Sequence, residues 1–236
     1  RYWEIDALRG LCVAVMIVYH TLFNLADFGF TDMDFSGGFP WYFARVFASI
    51  FMLIAGLSLT LRSGRKGMAF SGYAKRGGTL FAIGLCFTAV SYFVLGPRFF
   101  VLFGVLHLAG LSTILSFPLL KRPRLSFALG CAVLASGLIL GKYRFPFYWL
   151  SFLGFRPEGY YPVDYLPILP WMSYILFGIS LGNLLYPGGK RRFPVPELSR
   201  VWPIRAFAFL GRHSLPIYIA HLPVIYGVLE LMSRAV

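Results

Sequence analysis

Charge is scarce in this chain of 236 residues. Only 13% are Asp, Glu, Lys or Arg, about half the share that soluble domains carry to stay hydrated. Acidic residues are rarest, nine against 22 basic ones. A soluble globular enzyme is thereby excluded. Cysteine is nearly absent as well. Cys12, Cys86 and Cys131 lie far apart inside apolar segments, which rules out a disulfide framework or a zinc site and leaves them as packing residues. The four histidines, His20, His107, His213 and His221, have no metal-ligand spacing, and no metal is expected. Internal repeats, low-complexity tracts and a soluble domain are also missing.

What is present is apolar length. Hydrophobic residues make up 58% of the chain and mean hydropathy is +0.71. The pattern predicts an all-α integral membrane protein of seven spanning helices, near 7–29, 41–61, 77–95, 99–120, 125–140, 166–186 and 214–233. Each approaches the roughly 20 residues that cross a bilayer. The first contains polar residues and no small-residue cleavage site, so it is expected to span rather than to be a cleaved signal. One transmembrane domain over 1–236 is expected.

The net charge of +13 does not imply nucleic acid, because the basic residues sit in short loops between spans. Sixteen of them, from Arg1, Arg9 and Lys66 to Arg205 and Arg212, fall in one set of alternate loops, and five (Arg98, Lys142, Arg144, Arg156, Arg234) in the other. The positive-inside rule places the N-terminus in the cytoplasm and the C-terminus outside. The loop at 141–165 is crowded with aromatics, including Trp149, Tyr160, Tyr161 and Tyr165. It reads either as an interfacial belt or as a roof over a sugar acceptor. The basic, Pro-rich stretch 186–205 leads toward a short interfacial helix before Gly211.

Polar residues inside spans are costly and mark function. The first span carries Asp6 and Arg9 at one end and His20 near the other. Eleven residues turn a helix about 20° past three full turns, so Arg9 and His20 share a stripe roughly 16 Å long. Asp6 and Arg9, at i, i+3, can pair. His20 is a candidate general base, since an imidazole titrates near neutrality; Asp27, beyond it on the chain, is expected as a partner or orienter. Arg45 should point into the bundle toward a partner. His107, between Gly104 and Gly110, reads either as a helix-bracing histidine or as a site residue. In GRHSLPIYIAHLP, Arg212 and His213 precede a helix with Ser214 as its N-cap. Ser214, Tyr218 and His221 share a face and line a cavity.

The ordered segments EIDALRG, MIVYHTLFNL, WYFARVFASIFMLIAGLSLTL, FGVLHLAGLS, LPILPWMSYILFGISLGNLLYP and GRHSLPIYIAHLPVI resemble the heparan-alpha-glucosaminide N-acetyltransferase catalytic domain family across nearly the whole chain. The Asp6–Arg9–His20 spacing also resembles the acyltransferase type three family. The resemblance implies transfer of an acetyl or short acyl group from cytoplasmic acyl-CoA, a co-substrate with no permanent cofactor beside it. The acceptor would be an amine or hydroxyl of a glycan or glycolipid on the far side of the membrane. It implies His20, Asp6 and Arg9 as catalytic. Arg45, His107, Trp171, Arg212, His213, Ser214, Tyr218 and His221 would bind substrate or CoA. The lysosomal members carry their histidine in the loop after the first helix; the 27–40 loop here has none, and His20 fits the acyltransferase type three pattern. The expected setting is the cytoplasmic membrane of a prokaryote, with a homo-oligomer allowed. A different class fits the same polar residues: a small transporter or channel with a path lined by His, Arg and Tyr.

Overall fold

A computed structural model of the chain describes residues 2–35, 37–65, 69–160 and 164–234. Arg1, Lys66 and Tyr161 lie outside them. The described residues form eight α-helices and no strand: α1 (Trp3–Asp27), α2 (Gly38–Arg65), α3 (Phe70–Leu95), α4 (Val105–Leu115), α5 (Pro123–Leu140), α6 (Ile168–Leu185), α7 (Trp202–Arg212) and α8 (Ser214–Ser233). Six of these are long and apolar enough to cross a membrane: α1, α2, α3, α5, α6 and α8. The protein is an integral, multi-pass membrane protein.

Its burial pattern is that of a protein in lipid. Phe93, Val94, Leu138, Ile139 and Leu231 are exposed, whereas Ser112, Ser116, Ser126, Ser173 and His107 are almost completely buried. Hydrocarbon accepts the apolar exterior, and inside, Ser126 and His107 find backbone or side-chain partners while the Ser112, Ser116 and Ser173 hydroxyls have none among the described residues. Cys12 is buried, but Cys86 and Cys131 are exposed, so the packing role expected of all three holds for Cys12 alone.

The chain divides into two compact units, one of residues 1–54 and 195–236, the other of residues 55–194. In the first unit α7 runs antiparallel to α1. Gly10 faces the Phe207 carbonyl and Gly211 faces the Asp6 carbonyl, so closely that a Cβ at either glycine would overlap backbone. The helix foretold between the basic stretch and Gly211 is thus real. It packs along α1 because glycine at both crossing points lets the backbones meet.

In the second unit α3 and α4 form one hairpin and α5 and α6 another. Helix α4 has 11 residues, too few for the span expected over 99–120. The chain still covers that height in other conformations. The Val101 N–H donates to Ser91 Oγ at one end, and Phe117 packs on Phe70 and Tyr73 at the other. From Phe70 to Ser91, α3 rises about 31 Å, the thickness of a bilayer core. An extended lead, a short helix and a 3₁₀ turn (Phe117–Leu119) cross beside it. Glycines set the closeness: Gly77 lies on the Gly110 carbonyl, Gly137 on Pro170 and Gly130 on the Phe177 ring.

Candidate active site

Helix α1 continues unbroken past His20 because residues 7–26 hold no proline and just one glycine, Gly10, in the α7 contact. Its stripe delivers His20, half-buried, to the side that α8 approaches. There His20 Nδ1 and His221 Nε2 lie 3.0 Å apart. The expected orienter, Asp27, is exposed; the ring facing His20 belongs to His221. A carboxylate seven residues on lies about 10 Å up the helix, too far to reach the ring. Tyr19, Phe23 and Phe35 form an aromatic cluster beside the pair, with Tyr19 edge-on to His20 at 5.6 Å.

The second nitrogen of His221 fixes the proton order. His221 Nδ1 lies 2.7 Å from the Tyr218 carbonyl oxygen, which can only accept. Nδ1 therefore carries hydrogen. In a neutral pair Nε2 of His221 is then bare and accepts from His20 Nδ1–H. This leaves the lone pair of His20 on Nε2.

Asn24, one turn beyond His20, was not singled out in the sequence although an amide within an apolar span is itself a signal. It is 1% exposed. Its Nδ2 donates to the His20 carbonyl at 2.6 Å, and its Oδ1 is buried without a partner. Buried polar atoms of this kind are uncommon and call for a ligand or a function.

At the other end of α1, Arg9 Nη1 bonds Asp6 Oδ1 at 3.1 Å and reaches the Gly211 carbonyl at 3.5 Å. The expected pair exists, and it ties α1 to the last turn of α7. Arg45 is exposed rather than turned into the bundle, its guanidinium 3.9 Å above the ring of Trp41. A tryptophan one turn earlier gives the cation a π-face on its own helix. Arg212 and His213 are exposed, and His213 stacks on Phe209. Ser214 is the first residue of α8 and not its cap. The cap position is His213, with no side-chain cap bond. Tyr218 packs on His221 with ring centroids 5.5 Å apart.

Within the second unit His107 is braced on both nitrogens. The Gly104 N–H donates to Nδ1 at 3.2 Å, so Nε2 carries hydrogen and faces Thr88 Oγ1 at 3.3 Å. The Thr88 hydroxyl donates in turn to the Val101 carbonyl. Phe103 stacks on the ring, Phe81 meets it edge-on, and Gly84 makes room for it. This geometry is that of a structural histidine, the alternative to a CoA-binding one. Trp171 is buried beside Tyr174.

The aromatic loop is built rather than merely interfacial. The Tyr160 hydroxyl accepts from the Leu102 N–H and donates to the Phe100 carbonyl, and Tyr165 donates to the Ser151 carbonyl. Loss of hydration pushes the Tyr165 phenol up to about 12, partly offset by Arg156 and Arg144, and pushes the Tyr160 phenol up as well. Asp164 Oδ2 accepts the Val105 N–H and so caps α4 from a distant loop, a role without a local sequence signal. Tyr143, Tyr148 and Trp149 remain exposed, as a belt would be.

The model of the family described as heparan-alpha-glucosaminide N-acetyltransferase, catalytic, matches residues 1–223. The chain belongs to this family. Membership makes it a membrane acyltransferase, as the ordered segments implied. The match ends just after His221, so both histidines of the pair fall within the family's catalytic region. No curated protein and no solved structure matches the chain.

Proposed function

We propose that this membrane acyltransferase moves an acetyl or short acyl group from cytoplasmic acyl-CoA to an amine of a glycan or glycolipid on the far side of a prokaryotic cytoplasmic membrane, with His20 as general base. The observation that carries this reading is the His20–His221 contact at 3.0 Å, with His221 anchored on the Tyr218 carbonyl.

The acceptor nitrogen attacks the thioester carbonyl and gives a proton to His20 Nε2. As the C–N bond completes and the C–S bond breaks, the imidazolium returns the proton to the departing CoA thiolate. His221 holds the donor tautomer of His20 throughout and spreads the positive charge that His20 acquires. Asn24 favours an amine over a hydroxyl. An amine gives one hydrogen to His20 and keeps another for Asn24 Oδ1, whereas a hydroxyl has a single one to give.

Donor recognition falls at the other end of α1. Arg9 and His20 are separated by about 16 Å along the axis. Coenzyme A has the same polarity, with its phosphates at one end of a long pantetheine arm and its thioester at the other. Arg9, held by Asp6, suits the phosphate end, with His213 and Ser214 at the same end of α8. Arg45, exposed and lying on the Trp41 ring, takes no part in this step.

The test is release of free CoA thiol from acetyl-CoA by the purified chain. Release that depends on an added amino sugar, with acetyl recovered on its nitrogen, supports the reading. Thiol release unchanged by any acceptor contradicts it.

A further inference from the structure

A cleft of about 590 Å³ opens beside the first turn of α1 and along α7, lined by Trp3, Ser199, Trp202, Arg205, Phe209 and Arg212 among others. It belongs wholly to the first unit. On α7, residues 202, 205, 209 and 212 recur at helical spacing and form one stripe. The two arginines stand about 10 Å apart along it.

Three observations point to an anion. Among the described residues, no carboxylate lines the cleft. Among the described residues neither Arg205 nor Arg212 has a hydrogen bond or ion pair, so both guanidinium groups are open to a ligand. The Trp3 Nε1–H is buried without an acceptor. Two guanidinium groups facing one concavity repel each other until an anion enters. Their planar forks match phosphate oxygens, and an indole N–H adds a donor. Trp202 is 78% exposed and Phe209 54% on the same stripe, the placement of aromatic groups at a membrane–water boundary.

We propose that this cleft binds a phosphate ester at the membrane surface, with Arg205 and Arg212 holding the phosphate oxygens and Trp3 and Trp202 covering the apolar part of the ligand. Two sources present this chemistry: the headgroup of an anionic phospholipid and the phosphates of a soluble nucleotide such as coenzyme A. The exposed aromatics favour the lipid. Binding here does not depend on the His20–His221 pair.

Thermal unfolding of the full chain in neutral detergent tests the site, titrated separately with short-chain phosphatidylglycerol, diacylglycerol of the same chain length, and coenzyme A. Stabilisation by phosphatidylglycerol and not by diacylglycerol is expected. Arg205→Gln should weaken it about tenfold, with a smaller loss in Arg205→Lys, which keeps the charge but not the fork. Arg205 is exposed and unpaired, so these variants should fold; Trp202→Ala, at another exposed position, gives a second reading of the same loss. His20→Ala should keep the shift. Stabilisation by coenzyme A instead, lost in Arg205→Gln, supports the cleft with the nucleotide as its source. No phosphatidylglycerol shift together with either no coenzyme A shift or one that Arg205→Gln leaves unchanged, or a phosphatidylglycerol shift that Arg205→Gln leaves unchanged, overturns the proposal.

Discussion

His20 on α1 and His221 on α8, 201 residues apart in the chain, meet ring to ring with 3.0 Å between Nδ1 and Nε2. The contact assigns unequal roles. His221 is spent on Tyr218 and on His20, and His20 keeps a lone pair on Nε2. His221→Phe should therefore lower kcat about a hundredfold, within the range that general-base catalysis supplies, while leaving KM for acyl-CoA near wild type. Steady-state kinetics separates the two. A rise in KM with unchanged kcat would mean that His221 binds the donor instead.

Asn24→Leu provides an independent check. Leucine fills a similar volume and removes the orphaned Oδ1 but also the bond to the His20 carbonyl. Those changes should nearly cancel in stability, each of order 1 kcal/mol. Activity toward an amine should fall while activity toward a hydroxyl acceptor does not. Equal loss on both acceptors would assign Asn24 to packing.

His107 makes the opposite prediction. His107→Leu leaves the buried Gly104 N–H without an acceptor, costing about 1–3 kcal/mol. The melting temperature should drop, and the protein that remains folded should keep its turnover per molecule. A stable but inactive His107→Leu would return this residue to the active site.

The α1–α7 crossing is equally exposed to test. A methyl group at Gly211 overlaps the Asp6 backbone, and none of the nearest atoms is a flexible side-chain end. Gly211→Ala should destabilise by at least the 1–3 kcal/mol typical of overpacking. It should also loosen the Arg9 contact with the Gly211 carbonyl. Thermal unfolding in detergent reads the first effect, and an unchanged melting temperature would refute the contact.

Alkaline pH should loosen the aromatic loop. The Tyr165 phenol is raised to about 12 by loss of hydration, so its folded form favours the neutral state. Stability from this group is complete below its ordinary value of about 10 and is lost as pH climbs through 12. Phenolate absorbance should show late-titrating tyrosines, and Tyr165→Phe should remove one of them. Titration of all tyrosines near 10 would contradict the buried loop.

The spans were legible because apolar length is a local property, and α8 begins and ends where expected. Helix α4 was overextended because an apolar run does not reveal that Phe100–Gly104 lies extended against α3. Helix α7 was sensed only as a short interfacial piece, since its tight fit on α1 depends on Gly10 and Gly211 meeting across 201 residues. The same distance hid His221 as the partner of His20 and made the nearby Asp27 look like the orienter. Arg45 looked buried because no rule of spacing announces that Trp41, one turn back, will hold it at the surface. Asp164 was silent for a similar reason: a cap supplied from 59 residues away leaves no local trace.

The most direct test of the account is acyl transfer by His20→Ala, measured beside acyl-CoA binding in the same preparation. The account predicts transfer reduced to background with donor affinity near wild type. Transfer that survives in His20→Ala at more than about a tenth of the wild-type rate would contradict a general base at this position, since such a base supplies at least about a hundredfold.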